Sequence, residues 1–468
     1  MAIKDTAKNF LHRGKVYTAP WENALDKILT PFEEFIHRQS TSGILLLLCG
    51  VIALVIANTD LYSLYQSVIG GYFSVGTEDF RLSMSVHHWV NDGLMAFFFL
   101  LVGLELKREF LVGELAERRK AVVPIMAAIG GMVVPALCYY AINPEGVAAN
   151  GWGIPMATDI AFAVGILAIL GDRVPKSLLM FLVALAIVDD LGAILVIAVF
   201  YTHDLQVDGL FYSAIWVAML AVLNLAGVRK TLPYLLVGLL LWLALHYSGV
   251  HATLAGVLTA FAIPARPKYD PLAFSSRVER LMDRFRASIK PGEDIMRNEE
   301  LRAVVQSLSA GVSLVQAPLQ KLEHNLHIPV TYMVIPIFAL VNAGIPLAGV
   351  TGENGVTSPI SIGIMFGLLV GKPAGIVLAT FLAVKLGWGN LPAGCRFSHI
   401  LGVGFLGGIG FTMSIFIADL GFLGQPDALL MAKTGVLVGS FVAGVLGYLI
   451  LRLSSTGTVS KPGSLNDS

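Results

Sequence analysis

SLLMFLVALAIVDDLGAILVIAVFY, Ser177 to Tyr201, is 25 residues of nearly unbroken apolar character with two adjacent acids, Asp189 and Asp190, at its middle. A helix rises about 1.5 Å per residue, so this run is long enough to cross a bilayer and sets the acids roughly 20 Å in, near the midplane. A charged side chain at that depth is unfavourable by about 2.5 to 3.5 kcal/mol, and helix packing does not require two of them. Intramembrane carboxylates mark ion pathways. The alternative is a soluble core helix carrying a satisfied acidic pair.

The rest of the chain argues against that alternative. Of 468 residues, 56% are hydrophobic and only 14% charged, and mean hydropathy is +0.74. Soluble domains carry about 25% charged residues, which excludes a soluble multidomain protein. Formal net charge is zero, so no basic surface for nucleic acid is expected. Cys49, Cys138 and Cys395 have no paired metal spacing and read as packing residues. No Walker-type phosphate loop occurs, and no cofactor is expected.

Apolar runs lie near 42–61, 88–106, 121–142, 154–171, 177–201, 209–227, 232–248, 250–264, 328–349, 359–386, 399–418 and 429–451. They predict a twelve-helix transporter domain over 42–452, between a segment 1–41 and a tail 453–468. Alternate connections are strongly unequal in charge: 29 of the 32 Lys and Arg fall on one side, and only Arg81 and Lys433 on the other. Lys372 alone is left at bilayer depth. By the positive-inside rule both termini are cytoplasmic.

Leu25, Ile28, Leu29, Phe32, Phe35 and Ile36 repeat at helical spacing ahead of the first span. They predict a helix on the membrane surface or a cap packed on the cytoplasmic loops. Residues 71–86 hold two alternating stretches around Gly76-Thr77-Glu78-Asp79, a hairpin on the outer rim able to pair with a second copy of the chain. In the long cytoplasmic loop 265–327, Leu301, Val304, Val305, Leu308 and Val312 predict an amphipathic helix; a partly ordered tether between two halves is the alternative.

Two spans are punctuated. Ile154 to Gly165 opens with a proline, Thr158 and Asp159, and Gly402 to Gly410 holds five glycines in nine positions. Glycines can simply allow close helix packing. These two segments, however, are the central members of helix triplets, spans 3 to 5 and 10 to 12, that enter the membrane from opposite faces. That is the pattern of inverted repeats whose central helices are broken at the midplane to form an ion site. Asp159, Asp189, Asp190 and Lys372 are the charges at mid-depth. Adjacent helical residues point about 100° apart, so one of the paired acids can meet Lys372 while the other faces a cavity.

Ala157-Thr158-Asp159-Ile160-Ala161-Phe162, Ala186-Ile187-Val188-Asp189-Asp190-Leu191-Gly192, Gly371-Lys372-Pro373 and Gly408 to Phe416 resemble the NhaA-type sodium/proton antiporters, as do Gly103 to Glu109 and Val250 to Gly256. The resemblance runs from about residue 42 to 452. It implies an all-α polytopic membrane protein of twelve helices, with inverted repeats and two discontinuous crossing helices. It also implies exchange of Na+ or Li+ for H+ across the cytoplasmic (inner) membrane. By position, Asp189 and Asp190 form the cation and proton site, Lys372 partners Asp189, and Thr158 and Asp159 lie where the broken helices cross. Glu105, Arg108, Glu109, Glu323, His324 and His327 match the family's pH-sensing residues. Gln320 stands where a basic residue is expected, and the loop before Glu323 is long for the family.

Carboxylates accept either a dehydrated Na+ or protons, so one site can serve both ions by competition, without ATP. An intramembrane aspartyl protease also needs two membrane carboxylates, but it draws them together from two helices, and no GxGD string occurs here. A passive cation channel is the nearer alternative, separated by whether sodium flux obligatorily moves protons.

Overall fold

The computed structural model describes residues 39–76, 81–202, 205–267, 271–289, 298–346 and 355–454. The amphipathic stretch expected at 25–36, the tip of the hairpin and the C-terminal tail lie outside the described residues.

The described chain is almost wholly helical. Its elements are α1 (Gln39–Ala57), α2 (Tyr62–Ile69), β1 (Tyr72–Gly76), β2 (Arg81–Ser85), α3 (Val86–Leu111), α4 (Arg118–Ile142), a 3-10 segment (Val147–Met156) and α5 (Ile160–Leu170). There follow α6 (Lys176–Phe200), α7 (Val207–Leu225), α8 (Thr231–Ser248), α9 (Leu254–Ala262), α10 (Pro271–Ser288), α11 (Glu299–Val315), α12 (Pro318–Asn342), α13 (Pro359–Lys385), α14 (Phe397–Gly407), α15 (Phe411–Gly421) and α16 (Pro426–Ser454). Eight of these helices are long and apolar enough to cross a membrane, and up to eleven spans result if each bent pair counts as one. The protein is therefore a multi-pass membrane protein. The apolar run expected at 250–264 forms only the nine residues of α9.

Three boundaries differ from the sequence reading, two of them for identifiable reasons. The first run turns through 115° between α1 and α2. Asn58 makes the corner, its amide donating to Leu54 O at 2.8 Å and to Ile345 O at 2.9 Å. Helix α12 starts at Pro318, ten residues before the apolar run at 328. Proline is pre-organised for the first helical turn, and Ala317 ahead of it is extended. The polar turns between carry Glu323, His324 and His327, which therefore ride on a helix. The same helix ends at Asn342, seven residues before the expected end.

Strands β1 and β2 pair antiparallel, Tyr72 opposite Ser85 through Gly76 opposite Arg81. In the 265–327 loop, α10 and α11 are two separate amphipathic helices.

Two local devices set the register around the centre. Helices α4 and α13 approach so closely at Gly130 and Gly375 that a methyl group on either would collide with the other's carbonyl oxygen. Single π turns widen α3 at Trp89–Leu94, α12 at Val330–Val334 and α13 at Gly367–Gly371, the last immediately before Lys372. Such turns recur at functional sites because they re-aim the side chains that follow.

Candidate ion-binding site

Helix α6 is continuous and carries Asp189 and Asp190 fully buried at its middle. Opposite it, two chains of helix are interrupted: the 3-10 segment gives way to α5 across Ala157-Thr158-Asp159 with a 41° bend, and α14 gives way to α15 across Gly408-Ile409-Gly410 with a 46° bend. A break inside a membrane strands backbone N–H and C=O groups, each of which needs a partner.

The two breaks supply partners to each other. Asp159 N donates to Ile409 O at 2.6 Å. Asp159 caps α5, its Oδ1 accepting from Phe162 N at 3.1 Å, while its Oδ2 accepts from Thr412 N at 3.1 Å and from the Thr412 hydroxyl at 2.6 Å. The Ser414 hydroxyl donates to Ile154 O at 2.7 Å. Ser440 of α16 accepts from Gly410 N and Phe411 N at 3.2 and 3.1 Å. One buried carboxylate thus faces the N-terminal ends of both α5 and α15, where helix dipoles favour negative charge.

Lys372 fills the complementary position. Its ammonium donates to the Met156 carbonyl, the C-terminal end of the 3-10 segment, and to Asp189 Oδ2 at 2.6 Å. Thr158 Oγ1 lies 2.6 Å from the same Asp189 oxygen and 3.0 Å from Gly407 O. A hydroxyl has one proton, so it can donate to only one of these at a time.

Asp190 is different. Among the described residues neither of its carboxylate oxygens has a hydrogen-bond partner, nor has Asp189 Oδ1. Asp190 lines a cavity of about 970 Å³, together with Thr158, Asp159 and Thr412. The same cavity is lined by Glu105, Arg108, Glu323, His324 and His327. In that second group Arg108 pairs with Glu323 and, at 3.0 Å, with Glu109. His327 Nδ1 is 3.9 Å from Glu105 Oε1, beyond hydrogen-bond range.

Of the residues singled out by sequence, the structure gathers Thr158, Asp189 and Lys372 into one contact set, with Asp159 beside them at the breaks. The Glu105 to His327 group is a separate cluster along the same cavity. Reasoning from sequence did not find Met156, whose role is a main-chain carbonyl. Nor did it single out Thr412 and Ser414, whose one signal was their place just after the glycine run, or Ser440, which lies far from it in α16.

The chain is similar over nearly its whole length to known transport proteins. The family described as Na+/H+ antiporter 1 matches residues 33–451. The Na(+)/H(+) antiporter NhaA 1 of Saccharophagus degradans is 52% identical over 448 residues, covering 96% of this chain and 97% of that protein. The Na(+)/H(+) antiporter NhaA of Sulfurimonas denitrificans is 48% identical over 439 residues, covering 94% and 98%. That of Dichelobacter nodosus is 45% identical over 445 residues, covering 95% and 96%. The chain therefore belongs to the Na+/H+ antiporter 1 family.

Proposed function

We propose that this protein exchanges Na+ or Li+ for protons across the cytoplasmic membrane, electrogenically and under control of pH. The observation that carries the reading is Asp190, a buried carboxylate without a hydrogen-bond partner among the described residues, lining a cavity beside an Asp189 already held by Lys372 and Thr158.

A dehydrated Na+ needs oxygen ligands. Asp190, the free Oδ1 of Asp189 and the Thr158 hydroxyl supply them. Each carboxylate takes either a proton or a share in the cation, so the two ions compete for one place. When the cation enters, it replaces Lys372 as the counter-charge of Asp189, and the Lys372 amine keeps the Met156 carbonyl. Asp190 gives up one proton and the displaced Lys372 ammonium a second for one monovalent cation, so a cycle returns more positive charge than it removes.

Further parts of the reading rest on the arrangement around this site. Counting α9 gives twelve spans, with both termini cytoplasmic. The α4-to-α6 and α13-to-α16 triplets then act as inverted repeats whose broken members cross at Asp159 and Ile409. Glu105, Arg108, Glu109, Glu323, His324 and His327 tune the response to pH, all but Glu109 from the cavity wall. The β1–β2 hairpin, exposed to solvent on β1, pairs two copies of the chain in the lipid bilayer.

Sealed vesicles test the reading. Adding Na+ on one side is expected to drive protons the other way and to generate current. Sodium flux without proton movement would identify a passive channel, and electroneutral exchange would refute the charge count. If protons act only by competition, saturating Na+ restores the rate at low pH. A block that persists places inhibition in the Glu105 to His327 cluster instead.

A further inference from the structure

His87 and Arg108 lie near opposite ends of α3, roughly 30 Å apart along its axis. At the His87 end, away from the Glu105 to His327 cluster, a second buried charge network joins four helices. Asp419 of α15 is 3.0 Å from Lys433 of α16 through Oδ1, and its Oδ2 accepts from the Asn91 amide at 3.2 Å. Asn91 stands on the π turn of α3. Its Oδ1 accepts from the Asn342 amide, at the end of α12, at 2.8 Å. His87 Nε2 lies 3.0 Å from Asn342 Oδ1 and 3.8 Å from Asp419 Oδ2.

Beneath this network sits an aromatic layer drawn from three of the same helices. Phe416 of α15 packs on Phe99 of α3 and Phe338 of α12, with ring centroids 5.5 and 6.1 Å apart. Every residue of α15 is buried. Its first turn carries Thr412, bound to Asp159, and its last carries Asp419. About 10 Å of helix separates them, so a single rigid half-helix connects the ion site to the outer network.

We propose that the Asp419–Lys433–Asn91–Asn342–His87 network, with the aromatic layer under it, is the outer gate of the exchange path, and that Asp419 is its latch. This rests on the exchange reading: a site reached from one side must at some point be reached from the other. In this structure the large cavity reaches Asp190 from the Glu105 to His327 side, while at the other end Asn91 and Asn342 and, under them, Phe99, Phe338 and Phe416 are all buried. Their chemistry suits a seal that opens. A hydrogen bond broken into water regains most of its free energy there, so a polar seam parts reversibly where an aliphatic one would not. Opening frees the last turn of α15, and the motion is delivered to Asp159 through Thr412.

The test uses the full chain with Cys49, Cys138 and Cys395 replaced by serine and a reporter, Ile415→Cys, placed one turn inward of Asp419 on the same helical face. Ile415 is only 1% exposed, so a membrane-impermeant maleimide reaches a thiol there only through an open gate. In right-side-out vesicles the labelling rate is expected to rise about tenfold on adding Asp419→Asn or Lys433→Met, the usual size of a coupling carried by one charged contact. Lys433→Arg, which keeps the ion pair, is expected to label as slowly as the parent. In inside-out vesicles labelling should not rise. Unchanged outer labelling in both weakened variants would overturn the gate, and so would a rise equal from both faces, which reports general loosening. If Asp419→Asn fails to insert, Lys433→Met decides alone. Labelling needs no transport, and sodium-driven proton movement by the parent is measured separately, so failure of the exchange reading and failure of the gate are distinguishable.

Discussion

Two aspartate–lysine pairs sit at different depths of the same molecule, and they differ in their surroundings more than in their contact. Asp189 and Lys372 meet at 2.6 Å with neither side chain exposed; Asp419 and Lys433 meet at 3.0 Å with side chains 5% and 12% exposed. The inner pair has a second carboxylate beside it, Asp190, with free oxygens on a cavity. The outer pair has amides, Asn91 and Asn342, which hold their geometry but carry no exchangeable charge. Substituting one ion for another needs a spare acid, whereas holding helices together needs a carboxylate already engaged by a cation and an amide.

The sharpest way to break this contrast is Asp190→Asn. Exchange is expected to fall at least a hundredfold while thermal stability stays equal or improves, because the lost charge was desolvated and unpaired. Proton movement on sodium addition together with a melting curve checks it, and normal flux would remove Asp190 from the site. Next in size is Lys372→Ala. It strands Asp189, and breaking a buried pair by removing one partner costs about 3 to 5 kcal/mol. A clear fall in melting temperature with weakened exchange is expected; a variant as stable as the parent would mean that Asp189 takes up a proton at no loss. The smallest effect is expected from Arg108→Gln on the cavity wall. Arg108 is 43% exposed, and exposed ion pairs contribute about 0 to 1 kcal/mol, so stability should barely change. What should move is the pH profile of exchange, since Glu323 and Glu109 lose their shared counter-charge. An unchanged profile would detach this cluster from regulation.

Much of the inner site could be read before any coordinates, because membrane burial leaves few charged residues to choose from. An apolar run naming Asp189 and Asp190, and a single lysine at depth, restricted the pairing almost completely. Glycine crowding and the Pro-Met-Ala-Thr-Asp string marked the breaks. What stayed hidden were features without a compositional signature: the Met156 carbonyl has no side-chain chemistry, and a π turn looks like ordinary helix. Helix α12 was started too late because Gln320 to His327 depress hydropathy, although Pro318 marks a helix start. Asp419 and Lys433 were passed over because they fall at the edges of apolar runs, where a charge is unremarkable until the fold brings two edges together.

A π turn is, in sequence terms, one residue inserted into an α-helix. Deleting a single residue from Gly367–Gly371 would let α13 close into regular helix with its two halves close to their present orientation, whereas the same deletion from a regular turn would rotate one half by about 100° against the other. Lys372 stands at that junction and Gly375 lies one turn on, against Gly130. Alanine at Leu368, Leu369 or Val370 keeps the count, while a methyl added at Gly367 or Gly371 would meet Pro155 or Pro135. The position of the site's lysine is thus encoded in chain length as much as in residue identity, and the wide turn ahead of it is where a residue can be lost without rotation.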